Sequence, residues 1–211
     1  MRKTIRHLVR VIAPLMCAGF LLLAFEVAVV PTGSMEKTVL VGDTVLVFKL
    51  FDGPTIPGLD LRLPRLRSPR RGDLVSFYSP TAAHSVYLKR VVAVAGDIVE
   101  IRDGLLYVNG ALLKESYAPR STRVPNLAPR RIVPGELFVL GDNRDLSEDS
   151  RDFGAIPLQA VIGRPVAVVW SARARTPELL DTQGDVRLGF YWSVLFHPLD
   201  RIRWSRTGKL L

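Results

Sequence analysis

The feature that most constrains this chain is the run from Val11 to Val30, in which Glu26 is the only ionisable residue. As a helix, its twenty residues would extend about 30 Å, the thickness of a bilayer's hydrocarbon core. The ten residues before it, MRKTIRHLVR, carry Arg2, Lys3, Arg6 and Arg10 and no acid. Positive flanks stay in the cytoplasm, so the pattern predicts a cytoplasmic tail at 1–10, a transmembrane anchor at 11–30 and an extracytoplasmic domain at 31–211. A cleavable signal peptide uses the same ingredients, but this run is long for one, and Glu26 to Gly33 offers no good pair of small residues for cleavage. Pro14 and Gly19 are tolerable in a membrane helix, and Glu26 would sit near the outer interface.

Beyond the anchor the grammar changes to strands and turns. VLVGDTVLVF, DLVSFYS, VYLKRVVAVAGDIVEIR, LLYVNGALL and ELFVLGDN are short apolar runs broken by Gly-Asp or Asn-Gly, which predicts a mainly β domain of antiparallel sheets. Gly-Asp recurs at Gly42, Gly72, Gly96 and Gly141, each beside an apolar run, as tight turns would require. Two Pro- and Arg-rich stretches without periodicity, about 50–71 and 118–134, read as surface loops. The tail from Leu188, GFYWSVLFHPL, is too short to span a bilayer as a helix and reads as a final strand with its exposed side near lipid. The single cysteine, Cys17, lies in the anchor, so packing alone must hold the fold. Lys and Arg exceed Asp and Glu by nine, which suits an anionic partner. Those residues are dispersed and form no nucleic-acid-binding motif, so lipid headgroups are the expected partner and nucleic acid is not.

Three stretches carry candidate chemistry. Ser34, in Pro31-Thr32-Gly33-Ser34-Met35, follows the anchor directly, where a substrate's own membrane segment would end. Lys89 interrupts an apolar strand between Leu88 and Val91, and desolvation there would favour the neutral amine. GDNRDLSEDSRDFG, from Gly141 to Gly154, is either a solvated charged loop or a fixed hydrogen-bond network. The histidines argue against a Ser-His-Asp triad: His7 is on the cytoplasmic side, His197 is in the tail, and His84 reads as a satisfied or exposed residue. No set of His, Cys or acidic residues has metal-ligand spacing, so no metal is expected.

In this order and behind an anchor, PTGSMEKTVLVGD, YLKRVVAVAGD and GDNRDLSEDSRDFG resemble the boxes of the type I signal peptidases, and RRGDLVSF and IRWSRTG are similar too. The resemblance implies a Ser-Lys dyad without cofactor, in the cell or inner membrane of a bacterium, acting on preproteins with small residues at the first and third positions before the cut. It assigns Ser34 as nucleophile and Lys89 as general base. Thr32 would join the Ser34 N–H in an oxyanion hole, Ser147 would orient the lysine, and Asp142, Asp149 and Arg151 would support them. Val30, Met35, Val39, Tyr87 and Leu88 would wall shallow substrate pockets. Lys37 and Val39 stand where the family usually has Pro and Leu.

Two other readings compete. Ser34-Met35-Glu36-Lys37 is also an S-x-x-K, the nucleophile motif of penicillin-binding proteins, with Tyr107-Val108-Asn109 and Arg206-Thr207-Gly208 as stretched versions of their later motifs. That motif needs a helix, and KTVLVGDTVLV is β-branched and broken by Gly42. A basic, membrane-tethered binding module without catalysis would leave Ser34, Lys89 and Ser147 without a role.

Overall fold

The computed structural model describes residues 2–211 except 54, 57, 58, 60, 83, 84, 119–124 and 181–184, with the side chains of 1–9, 11, 55, 62 and 185–188 also outside it. His84 therefore lies outside the described residues. Helix α1 (Arg2–Ala24) leads into β1 (Phe25–Val29), β2 (Asp43–Phe48) and a small hairpin of β3 (Thr55–Ile56) and β4 (Leu61–Arg62). Next come β5 (Leu74–Tyr78), β6 (Val86–Val94), β7 (Ile98–Arg102), β8 (Leu105–Val108), β9 (Ala111–Leu112), β10 (Leu127–Arg131) and β11 (Glu136–Leu140). The chain closes with α2 (Ser150–Phe153), β12 (Ile156–Pro157), β13 (Val161–Ser171), α3 (Thr176–Leu180), α4 (Asp185–Phe196), α5 (Pro198–Arg201) and β14 (Lys209–Leu210).

The main sheet is antiparallel and runs β1-β2-β13-β5-β6-β11-β12, with β14 beside β13; a second sheet runs β10-β7-β8-β9. The mainly β expectation is met, with differences at both ends. The apolar run does not stay helical to Val30. It turns at Ala24, and Phe25–Val29 pairs with β2 from Phe25↔Phe48 to Val29↔Thr44. Val27, Val29 and Val30 are β-branched and suit a pleated edge better than a helix. Among the described residues no helix is long and apolar enough to cross a membrane.

The tail is the second difference, since the predicted final strand is instead helix α4. Phe190 and Val194, four apart on one helical face, bury against Leu179, Ala172 and Ile202. That packing outweighs the β preference of the aromatic residues. The expected loops also hold structure. The first contains the β3–β4 hairpin and the fully buried Asp52, bonded to Arg164; the second contains β10 and the buried Ile132.

Three of the Gly-Asp pairs make one repeated turn. Gly42, Gly72 and Gly96 have φ of 86°, 90° and 91°, a region open to glycine. Asp43, Asp73 and Asp97 each donate N–H to the carbonyl three residues back, while their carboxylates accept the N–H of that same residue. Every carboxylate is then taken by arginine: Asp43 by Arg206, Asp73 by Arg67 and Arg164, and Asp97 by Arg71. Part of the arginine content is thus engaged inside the fold, with the net surplus unchanged. Gly141-Asp142 is not such a turn; it belongs to the site.

Asp43 is the most enclosed of these anchors. Burial works against its charge, but Arg206, the Ser171 hydroxyl and the Leu40 N–H hold its carboxyl below the usual range. A depressed carboxyl stabilises the fold fully above its unfolded value of 3.8, and this stabilisation is lost as pH falls through the lower folded value. Asp43→Ala should strand Arg206 and Arg203 and lower Tm by about 10 °C at pH 7. The gap should narrow below pH ~4, as scanning calorimetry of the full chain in detergent would show.

Candidate active site

The burial pattern of β6 points Lys89 inward, opposite Val75 of β5, and leaves it 4% exposed. Ser34 lies on the single 3-10 turn Gly33–Met35 and is 8% exposed. This turn is pinned from both directions. On the near side, Met35 is buried with Val30, Val39, Val45 and Val47. On the far side, the Asn143 N–H donates to Ser34 O at 3.0 Å, its side-chain amide donates to Gly33 O at 3.1 Å, and the Asp142 N–H meets Met35 Sδ at 3.4 Å.

These elements bring Lys89 Nζ to 2.8 Å from Ser34 Oγ. Burial pushes the Lys89 amine down to about 8, against the pull of Asp149 and Glu148, with Arg151 helping the decrease and Asp142 opposing it. At pH 7 about a tenth of such an amine is neutral, against about one part in three thousand in water. A neutral amine at this distance can take the hydroxyl proton. Thr32 Oγ1 lies 3.5 Å from Ser34 Oγ on the exposed side of the turn.

The charged loop is a fixed network rather than a solvated run. Asp142 is fully buried, accepts Arg90 through two bonds of 2.8 and 2.7 Å, and accepts Thr38 Oγ1 at 2.5 Å. Asp149 accepts Arg151 at 2.7 and 2.8 Å and the Gly141 N–H at 2.9 Å, and caps α2 in a reciprocal box with Asp152. Arg151 also donates to the carbonyls of Arg144 and Ser147. Ser147 Oγ is buried without a hydrogen-bond partner among the described residues, so here it does not orient the lysine. It sits instead against Gly141, in the space a Cβ there would occupy, which Ser34 O also borders.

Arg90, which carries no role in the sequence analysis, is the residue that holds Asp142 in place. Strand alternation turns it away from Lys89, and nothing local in the sequence signals its partner, Asp142, 52 residues on. Arg144, bonded to Glu115, was likewise not foreseen. Lys37 is exposed, with φ of 88°, and shares no helix with Ser34, which removes the geometry an S-x-x-K site needs.

A cavity of about 450 Å³ opens beside the pair. Val30, Met35, Tyr87 and Leu88 line it as expected, joined by Ala28, Val45, Val47, Ser76, Pro165 and Leu146. Val39 does not: it is fully buried behind Met35, whose carbonyl accepts its N–H at 2.9 Å, so it supports the wall rather than forming it. Among the described residues no group of three or more His, Cys, Asp or Glu could hold a metal.

The family model described as "Signal peptidase, peptidase S26" matches residues 4–170. A probable signal peptidase I-2 of Synechocystis sp. is 32% identical over 168 residues, covering 76% of this chain and 70% of its own. Signal peptidase I of Pseudomonas aeruginosa is 32% identical over 192 residues, covering 73% and 66%. Thylakoidal processing peptidase 1 of Arabidopsis thaliana is 33% identical over 153 residues, covering 67% of this chain and 41% of its own. A solved signal peptidase I of Enterococcus faecalis matches 46% of this chain and 97% of its own at 32% identity, with a TM-score of 0.42.

Proposed function

Because this chain belongs to the S26 family of signal peptidases, we propose that it cleaves preproteins through an acyl-enzyme formed on Ser34, with Lys89 as its base. The observation that carries this reading is the 2.8 Å contact between Lys89 Nζ and Ser34 Oγ, both buried at one wall of the cavity. Neutral Lys89 takes the hydroxyl proton as Ser34 Oγ attacks the scissile carbonyl. The developing oxyanion is met by the Ser34 N–H and the Thr32 hydroxyl, which stands on the same side of the turn. The resulting ammonium protonates the leaving amine, and the neutral amine then activates water against the acyl-enzyme. Ser147, unpaired and buried, is available to accept from or donate to the amine during this cycle.

The walls favour small, apolar residues at the first and third positions before the cut, where an extended chain places alternate side chains on the same face. We read α1 as the retained anchor: Leu15, Met16, Phe20 and Leu22 are 55 to 76% exposed, a face suited to lipid and not to water. The exposed Trp192, Phe196, Leu199 and Trp204 would lie near the same surface, outside the cytoplasm. The test is a preprotein with Ala at both positions. The wild type should cleave it and Ser34→Ala should not, and Phe or Lys at either position should reduce kcat/KM by about 10²-fold or more. Equal cleavage of all these substrates, or cleavage by Ser34→Ala, would defeat the reading.

A further inference from the structure

Among the described residues lining the cavity, Glu148 is the one acidic side chain. An exposed glutamate ordinarily samples many positions, but both of these oxygens are held. Oε2 accepts the Tyr87 hydroxyl at 3.0 Å and Oε1 accepts Thr81 Oγ1 at 2.9 Å. Both donors are neutral, and among the described residues no Lys or Arg forms an ion pair with Glu148. The negative charge is therefore fixed in place, with no direct ion-pair partner among the described residues. Among the described residues, the only other charged one lining the cavity is Lys89, which must be neutral to act. In the neutral-amine state, about a tenth of the protein at pH 7 and most of it above pH 8, the described lining carries a single negative charge at its rim.

We infer that Glu148 makes this site select for a cationic side chain, and against an anionic one, at the one substrate position that reaches the Glu148–Tyr87 rim. This rests on the peptidase reading and adds a charge preference to it. Glu148 belongs to the loop that positions Ser34, yet it reaches the β5–β6 hairpin through Thr81 and Tyr87. A merely structural Glu148 would staple the two together and be indifferent to the charge of the substrate. A glutamine keeps one acceptor oxygen and much of the staple but loses the charge, so Glu148→Gln separates the roles.

A second consequence concerns the base. The charged groups acting on the Lys89 amine are Asp149, Glu148, Arg151 and Asp142, beside the Ser34 hydroxyl and the Tyr87 ring 5.4 Å away. Glu148 stabilises the ammonium, so its removal lowers the pKa of the amine and moves the acid limb of kcat/KM to lower pH.

The experiment uses the full chain in detergent micelles and a set of signal-peptide substrates with a single Lys or Glu at each position from the fourth before the cut to the third after it. Dissociation constants are measured on Ser34→Ala, where turnover cannot interfere, and kcat/KM on the active protein. At one position Lys should be preferred over Glu by about tenfold, the sum of one exposed attraction and one exposed repulsion. That ratio should shrink in 1 M salt, vanish in Glu148→Gln and invert in Glu148→Lys. A ratio unchanged by Glu148→Gln at every position, with the acid limb unmoved, overturns the inference while cleavage leaves the peptidase reading intact. If the wild type cleaves none of the set, the peptidase reading falls, and the binding ratios on Ser34→Ala still decide whether Glu148 selects for charge.

Discussion

Replacing Lys89 with alanine should lower kcat/KM for preprotein cleavage by between about 10²- and 10⁴-fold, the range general-base catalysis supplies, while the protein stays folded. Among the described residues lining the cavity, Lys89 is the base in contact with Ser34: none of them is histidine, and Glu148 is engaged with Tyr87 and Thr81. Burial lowers the Lys89 amine from 10.5 to about 8, so the folded state binds fewer protons than the unfolded state between those values, and stability rises with pH across that window. Below it, holding the ammonium in this site costs about 3 kcal/mol relative to water. Lys89→Met, which fills the same space without a charge, should therefore raise Tm at pH 7 and still be inactive. That pairing separates lost chemistry from lost structure. In the wild type, kcat/KM should rise tenfold per pH unit up to about 8 and then level, because the neutral amine is the working form. Lys37→Ala should keep most activity, since Lys37 is exposed on a turn with its backbone at φ of 88°. Survival of Lys89→Ala with loss in Lys37→Ala would reverse the assignment.

How much of this was legible in the sequence depends on where the deciding interaction lies. Local pattern only drew attention to Ser34 and Lys89, a Gly-Ser pair after an apolar run and a cation inside an apolar strand; their expected roles came from the resemblance of the boxes that hold them. Asp142, Asp149 and Arg151 were visible as a cluster, but their arrangement was not. The partners of Asp142 are Arg90 and Thr38, 52 and 104 residues away, and no local pattern encodes pairing across a sheet. The end of α1 was misread because hydropathy does not distinguish an apolar helix from an apolar edge strand; the pairing of Phe25–Val29 with β2 decides it. The tail was misread for the converse reason. Phe190, Tyr191 and Trp192 favour strands by propensity, and only the surface formed by Ala172, Leu179 and Ile202 makes the helical spacing of Phe190 and Val194 the one that buries most. Val39 was placed on the wall because it is near Ser34 in sequence, whereas the turn after Met35 carries it beneath that residue.

Gly141→Ala should reduce kcat/KM by about 10²-fold or more with a stability loss of only about 1–3 kcal/mol. A Cβ at this position would run into the Ser147 side chain and come within 2.6 Å of Ser34 O. Neither neighbour can yield without consequence. Ser34 O is backbone, already held by the Asn143 N–H at 3.0 Å, and the Ser147 loop is tied down by Arg151 on the carbonyls of Arg144 and Ser147. Gly141 itself is fixed at both ends, its N–H on Asp149 at 2.9 Å and its carbonyl on Arg144 Nε at 2.9 Å. The displacement must therefore pass into the nucleophile's turn. A shift of about 1 Å there is enough to spoil attack geometry and the 2.8 Å contact with Lys89. Gly110 supplies the control. It has φ of 77° in the turn between β8 and β9 and open space around its missing Cβ, so Gly110→Ala should cost about 1 kcal/mol through backbone strain alone and leave cleavage near wild type. If both variants lose similar stability and only Gly141→Ala loses activity, the close approach of loop 141–149 to Ser34 is what holds the nucleophile against its base. Full activity in Gly141→Ala would show instead that the apolar packing of Met35 beneath the turn is sufficient to position Ser34.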